Sequence, residues 1–180
     1  MNPLLRIVRH LWLDADDAHR ALGPGTLKRL EEQVRESEAR HTGEICLCIE
    51  ASLPVSYLWR HLRLGLPIDD VVHERALSVF GKLRVWDTEL NNGVLIYLQL
   101  AERQVEIVAD RGLARRISSD EWAAMLHGLE EDFRAGHHEA GLHRAIEAVG
   151  RCLATHFPGD AESRDKTRRD NQLPDEPVIR

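Results

Sequence analysis

Between Asn91 and Gly112 the chain reads NNGVLIYLQLAERQVEIVADRG, two apolar strands with Asn-Asn-Gly opening the first and Asp-Arg-Gly closing the second. Those clusters hold the residue types that bind ions. Carboxylates at Asp87, Glu89 and Asp110, with side-chain amides at Asn91 and Asn92, form an oxygen set of the kind a hard cation takes. Calcium prefers about six to eight such ligands, and magnesium uses fewer in a stricter geometry. The loop before one strand and the turn after its antiparallel neighbour share an edge of the sheet, so the five can converge there. Arg111 offers a different chemistry. With Asp87 or Asp110 as base and Arg111 as a clamp on the transferring group, phosphate-ester hydrolysis can be drawn.

Plainer readings stand beside these. Asn91-Asn92-Gly93 suits a tight turn, since asparagine tolerates left-handed backbone, and Asp110-Arg111 suits a local ion pair at a strand end. No calcium-loop spacing, P-loop, Cys-x5-Arg loop, Gly-x-Ser-x-Gly or His-Glu-x-x-His occurs in the sequence. Among the ten histidines, His137 and His138 with Glu139 and His143 look metal-rich. Adjacent histidines at a helix junction point apart, however, and a solvated loop between helices is the expectation. Trp86, beside the candidate cleft, is the tryptophan placed to act as a lid.

The positioning elements follow from periodicity. With 180 residues and 43% hydrophobic content, one domain can bury a sizeable core. A net charge of -6 argues against nucleic acid as a partner. Three scattered cysteines give no disulfide framework and fit a reducing, cytoplasmic setting. Cys46 and Cys48 fall at strand spacing in the apolar run 44–52, which places both thiols on one face. Helical periodicity runs over 24–40, 69–85 and 139–156, and over a stretch with apolar positions Trp122, Leu126, Leu129 and Phe133 that Gly136 ends. Asp69 or Asp70 is placed to cap the second of these helices. Residues 53–67 show no clear period. Strand, helix, strand reads as a crossover onto a parallel neighbour (Gly93 to Leu100), and the short turn 101–104 implies an antiparallel strand over 105–109.

At the N-terminus, Leu4, Leu5, Val8, Leu11 and Trp12 form an apolar stripe broken by Arg6, Arg9 and His10, which is neither a spanning segment nor a signal peptide. An amphipathic helix over residues 1–23 is expected, docked on the core or in a homodimer, or else lying on a membrane with Trp12 and Leu4 in lipid and Arg6 and Arg9 near headgroups. Residues 24–158 make the folded domain. Residues 159–180, charged in both signs and nearly free of apolar side chains, are expected to be a disordered tail.

The order of these pieces resembles the TPM domain: a strand at TGEICLCIE, a helix at ERALSVFGKL, then NNGVL at 91–95, Gly112-Leu113 after the hairpin, and Phe133-x-x-Gly136 between the last helices. The resemblance spans about Leu27 to Phe157. It implies an α/β fold, a three-layer α/β/α sandwich around a small mixed central sheet, with a cleft at one strand end. It also implies acid phosphatase activity in some members and calcium binding at that cleft in others. The chain departs from the family pattern where a glutamate is replaced by Ala114 and an aspartate aligns with Ser119, beside Asp120. The membrane anchors common in the family are missing from the sequence. The resulting expectation is a soluble, bacterial-type, non-catalytic interaction or assembly module with a degenerate metal or phosphate cleft. It would work with an unknown protein partner, peripherally at a membrane or as a homodimer. The alternative is a divalent-metal-dependent acid phosphatase or calcium-binding protein.

Overall fold

Two strands buried on both faces organise the molecule. In the computed structural model, which describes residues 3–126, 129–159 and 172–180, β1 (Glu44–Glu50) and β2 (Gly93–Gln99) pair in parallel from Glu44↔Gly93 to Glu50↔Gln99. Their continuous apolar runs reflect this double burial. Ile45, Leu47 and Ile49 of β1 and Val94, Ile96 and Leu98 of β2 face one core, while Cys46, Cys48, Leu95 and Tyr97 face the other. β3 (Gln104–Ala109) runs antiparallel to β2 from Val94↔Ala109 to Gln99↔Gln104. The crossover and the hairpin are therefore as the sequence implies.

Helices cover both faces, which makes the three layers. α2 (Ala15–Leu22), α3 (Thr26–Glu38), α8 (Leu129–Ala135) and α9 (His138–His156) bury Ala18, Leu30, Val34, Phe133, Ile146 and Val149 against one side. α4 (Val55–Leu64) and α5 (Ile68–Lys82) bury Leu58, Val71, Val72, Ala76 and Val79 against the other. α1 is Pro3–Trp12, α6 is Arg111–Ala114 and α7 is Ser119–Leu126.

Several expectations are corrected. The N-terminal helix is two helices, because Asp14 forms a reciprocal capping box with Asp17 and starts α2 afresh. Ala18 and Leu22 of α2 belong to the main core, so the folded domain begins before residue 24. The stretch with apolar positions Trp122, Leu126, Leu129 and Phe133 is helical on both sides of residues 127 and 128, which lie outside the described residues. Its start is a second capping box, with the Glu121 amide donating to Ser118 Oγ and the Ser118 amide to Glu121. Asp69 and Asp70 do not cap α5. Pro67 occupies that position without a side-chain bond, and the two aspartates sit in the first turn, where the helix dipole favours them. Residues 53–67, without a clear period in sequence, hold α4, in which Leu58 alone is buried.

The largest correction concerns the tail. Val178–Ile179 forms β4, parallel to β1 at Cys48↔Val178 and Ile49↔Ile179, in a sheet ordered β3-β2-β1-β4. The Ala51 amide donates to the Arg180 carbonyl and the Arg180 amide to the Ile49 carbonyl, and Leu173 is buried. The cause lies in the sheet: β1 would otherwise present an unpaired backbone edge, and two β-branched residues pair with it at Cys48 and Ile49. The remainder of the expected disordered segment, 160–171, lies outside the described residues.

Candidate functional site

The loop into β2 and the turn out of β3 interlock at one end of the sheet. Asn91 adopts φ 51°, the left-handed backbone its type tolerates, and its amide donates to the Thr88 carbonyl at 3.1 Å. Asn92 is buried: its backbone amide donates to Thr88 Oγ1 at 3.1 Å and its Nδ2 to the Thr42 carbonyl at 3.0 Å, tying the loop to the start of β1. Both glycines of the pair are needed for closeness. A Cβ on Gly93 would lie 2.0 Å from the Val85 carbonyl oxygen, and one on Gly112 would lie 2.4 Å from that of Asn91. The Gly112 amide instead donates to that Asn91 oxygen at 2.8 Å.

Asp110 closes β3. Its amide donates to the Gly93 carbonyl, its Oδ1 accepts the Arg111 amide at 2.7 Å, and its carbonyl accepts the amides of Leu113 and Ala114 as α6 begins. The residue is 8% exposed, and Oδ2 is buried without a hydrogen-bond partner. Arg111 gives Asp110 its backbone amide, while its guanidinium Nε donates to Asn91 Oδ1 at 2.8 Å. The side-chain pairing is thus arginine to asparagine across the two loops, in place of the local ion pair expected.

The outer members of the expected set point elsewhere. Asp87 Oδ2 accepts from Arg84 at 2.7 Å with both side chains largely exposed, and that guanidinium lies 5.8 Å over the Trp86 ring. Trp86 is therefore a stacking surface for Arg84. Glu89 is exposed, and its amide donates to Gln172 Oε1 at 2.9 Å. Ala114 lies on α6, exposed, where the family pattern places a glutamate. The structure thus joins Asn91, Asn92, Asp110 and Arg111 and leaves Asp87 and Glu89 at the rim. A calcium or magnesium ion fits poorly. One buried carboxylate oxygen is free, a guanidinium already holds Asn91 Oδ1, and among the described residues no group of three His, Cys, Asp or Glu side chains could hold a metal.

A second polar cluster escaped sequence reasoning. Glu50, at the end of β1, accepts from Arg75 Nε at 2.9 Å, from Arg75 Nη2 at 2.5 Å and from the Tyr97 hydroxyl at 2.5 Å. All three residues are at least 96% buried, and the Arg75 guanidinium also lies 5.5 Å over the Tyr57 ring. Glu50 holds Arg75 firmly charged, while burial first, then the Glu50 charge, pushes the Tyr97 hydroxyl pKa upward. One signal was legible: Arg75 stands on the apolar stripe of α5 between Val72 and Val79, where an arginine needs a partner. The histidine-rich junction also differs from expectation. His137 is exposed, but His138 starts α9, half-buried and stacked on Phe133 at 6.3 Å.

The model of the TPM domain matches residues 15–152, most of the chain. This chain belongs to the TPM domain family. The match begins at the start of α2, which agrees with the core position of Ala18 and Leu22. The NMR structure of BA42 protein from the psychrophilic bacterium Bizionia argentinensis is similar, with a TM-score of 0.68 and 26% identity over 87% of this chain and 93% of that one. No curated protein matches this chain. Among the described residues, no helix of the TPM-domain chain is long and apolar enough to cross a membrane.

Proposed function

We propose that this TPM-domain protein is a non-catalytic binding module, whose sheet-end loops lock the fold and whose surface does the work. The observation carrying this reading is the commitment of the cleft's own polar groups. Arg111 is spent on Asn91, Asn92 on Thr42 and Asp87 on Arg84, and the free oxygen of Asp110 is buried, so no base and clamp face a common open space. Phosphoryl transfer depends on positioned charge around the moving group, and these groups are positioned on each other. The test is turnover of p-nitrophenyl phosphate with added calcium or magnesium across about pH 5 to 9. None is expected. Metal-dependent turnover that disappears in Asp110→Ala would overturn the reading.

A second reading, cation binding without catalysis, is favoured by one observation: Asp110 Oδ2 is buried and unpartnered. Calcium titration of the amide spectrum decides it. Shifts confined to Asp87–Asn92 and Asp110 would support the site, and an unchanged spectrum would remove it.

A further inference from the structure

The N-terminal helix α1 docks the wrong way round for its composition. Its inward side is polar. His10 is 3% exposed, with Nε2 3.0 Å from Glu102 and Nδ1 accepting the Leu53 amide at 3.0 Å. Arg6 reaches Glu102 at 3.0 Å and His61 of α4 at 3.1 Å, so it is not free to face a headgroup. The apolar stripe is left outside, with Leu5 63%, Val8 51%, Leu11 64% and Trp12 82% exposed. On α4, tied to α1 through His61, Val55, Trp59 and Leu64 are exposed as well.

At the edge of this stripe lies a cavity of about 290 Å³ lined by Trp12 and Leu13 together with Arg9, Arg103 and His138. Its one acidic wall residue among those described, Asp17, is already bonded to Arg20 at 2.5 Å. The Nδ1 of His138 is buried without a hydrogen-bond partner. Burial first, then the charges of Arg103 and Arg9, lowers the His138 pKa, and all three side chains line the same cavity. Positive charge thus converges on a space walled by an exposed tryptophan. α1 itself, PLLRIVRHLW, carries no acidic residue in a chain of net charge -6.

We propose that this face binds an anionic phospholipid surface, with Leu5, Val8, Leu11 and Trp12 entering the headgroup–acyl boundary and one lipid phosphate seated between Arg9, Arg103 and His138. The proposal rests on the binding-module reading and gives its partner a chemistry. A tryptophan-bearing apolar stripe next to basic side chains, on a helix without an acidic residue, is what an interfacial helix presents to anionic lipid. Arginine at the cavity supplies the forked donors that phosphate oxygens accept, and Arg103, whose Nη1 donates to the Arg134 carbonyl at 2.9 Å, keeps its other donors for them.

The experiment is co-sedimentation of the full chain with phosphatidylcholine vesicles, with and without phosphatidylserine, beside a titration with inorganic phosphate. Binding is expected only to the anionic vesicles, weakened about tenfold or more by Trp12→Ala and by the pair Arg9→Glu with Arg103→Glu. Trp12 is so exposed that its replacement should leave the melting temperature unchanged, and that measurement guards against a folding artefact. Equal solubility of wild type with both vesicle types overturns the proposal. So does saturable phosphate binding without vesicle binding, which would make the cavity a free-anion site. A dimer in sedimentation equilibrium that Trp12→Ala dissociates, with no lipid binding, would assign the stripe to a second copy. None of these outcomes touches the phosphatase assay, so the two readings fail separately.

Discussion

At the far end of β1, Glu50 is 4% exposed and accepts three hydrogen bonds from Arg75 and Tyr97. At the other end of the sheet, Asp110 is 8% exposed, and one of its two carboxylate oxygens has no partner. Both are buried acids at strand ends on the same small sheet, and the chain treats them differently. Around Glu50 a bidentate guanidinium and a hydroxyl satisfy the carboxylate, which is the arrangement that makes a buried charge tolerable. Around Asp110 the lone Oδ1 bond caps α6, and the nearby arginine is used to join two loops. A closed network resists change at every member. An open one can lose a member cheaply or gain a ligand, and that contrast can be measured.

The largest effect is expected where the network is closed. Arg75→Met leaves the Glu50 carboxylate buried with a single donor, and removing one partner of a buried pair costs about 3–5 kcal/mol. Thermal or urea unfolding should show a loss of this size. The double variant Glu50→Leu with Arg75→Met should recover most of it, because no lone charge then remains inside. A single-variant loss below about 1 kcal/mol would mean that water already reaches Glu50, and the contrast between the two ends would vanish.

Next in size are the glycines that let the loops touch. Gly112→Ala drives a Cβ to 2.4 Å from the Asn91 carbonyl oxygen, a backbone atom that cannot rotate away. Overpacking of this kind costs about 1–3 kcal/mol, and Gly93→Ala, closer still to Val85, should cost at least as much. Urea midpoints should fall with an unchanged m-value. If either variant melts like wild type, the interlock is looser than its geometry and the cleft has room for a ligand.

These positions also mark how much could be read in advance. The strands and their order were legible, because runs such as Gly93–Gln99 are apolar throughout and the short turn after them allows only a hairpin. The Asn-Asn-Gly turn was legible from backbone chemistry alone. The side-chain partners were not, since Arg111 meets Asn91 across 20 positions and Arg75 meets Glu50 across 25, and no local pattern encodes such a pairing. β4 was hidden for a similar reason. Val178 and Ile179 mean little until β1 is known to have an open edge.

At the open end, Asp110→Ala should change stability by no more than about 1 kcal/mol. It removes the cap on the Arg111 amide, a loss of about 0.5–2 kcal/mol, but it also removes a buried oxygen that lacks a partner. The two terms oppose each other, whereas at Arg75 they add. Differential unfolding of the two variants in one buffer checks this directly. A loss at Asp110 rivalling that at Arg75 would show that Oδ2 is satisfied in solution, by an ion or a fixed water. Stabilisation of wild type but not of Asp110→Ala by added calcium would identify that partner as an ion.

The smallest effect concerns the thiols on the same buried face as Tyr97. Burial pushes Cys46 up to about 11 and Cys48 to about 12, with the Glu50 charge adding to the rise at Cys48. The reactive species is the thiolate, so at pH 8 both should be nearly inert to a thiol reagent in the folded protein. Cys152, half-buried on α9 and raised less, should be the first to react. Arg75→Met tests whether this inertness belongs to the closed end of the sheet. Arg75 is among the charges that lower the Cys48 pKa, so its removal raises that pKa further and slows the chemistry in molecules that stay folded. Destabilisation acts the other way, by raising the fraction that opens. Faster labelling in the variant, with a rate that tracks denaturant, would therefore report opening of the network. Labelling that is slower and denaturant-independent would report electrostatics alone.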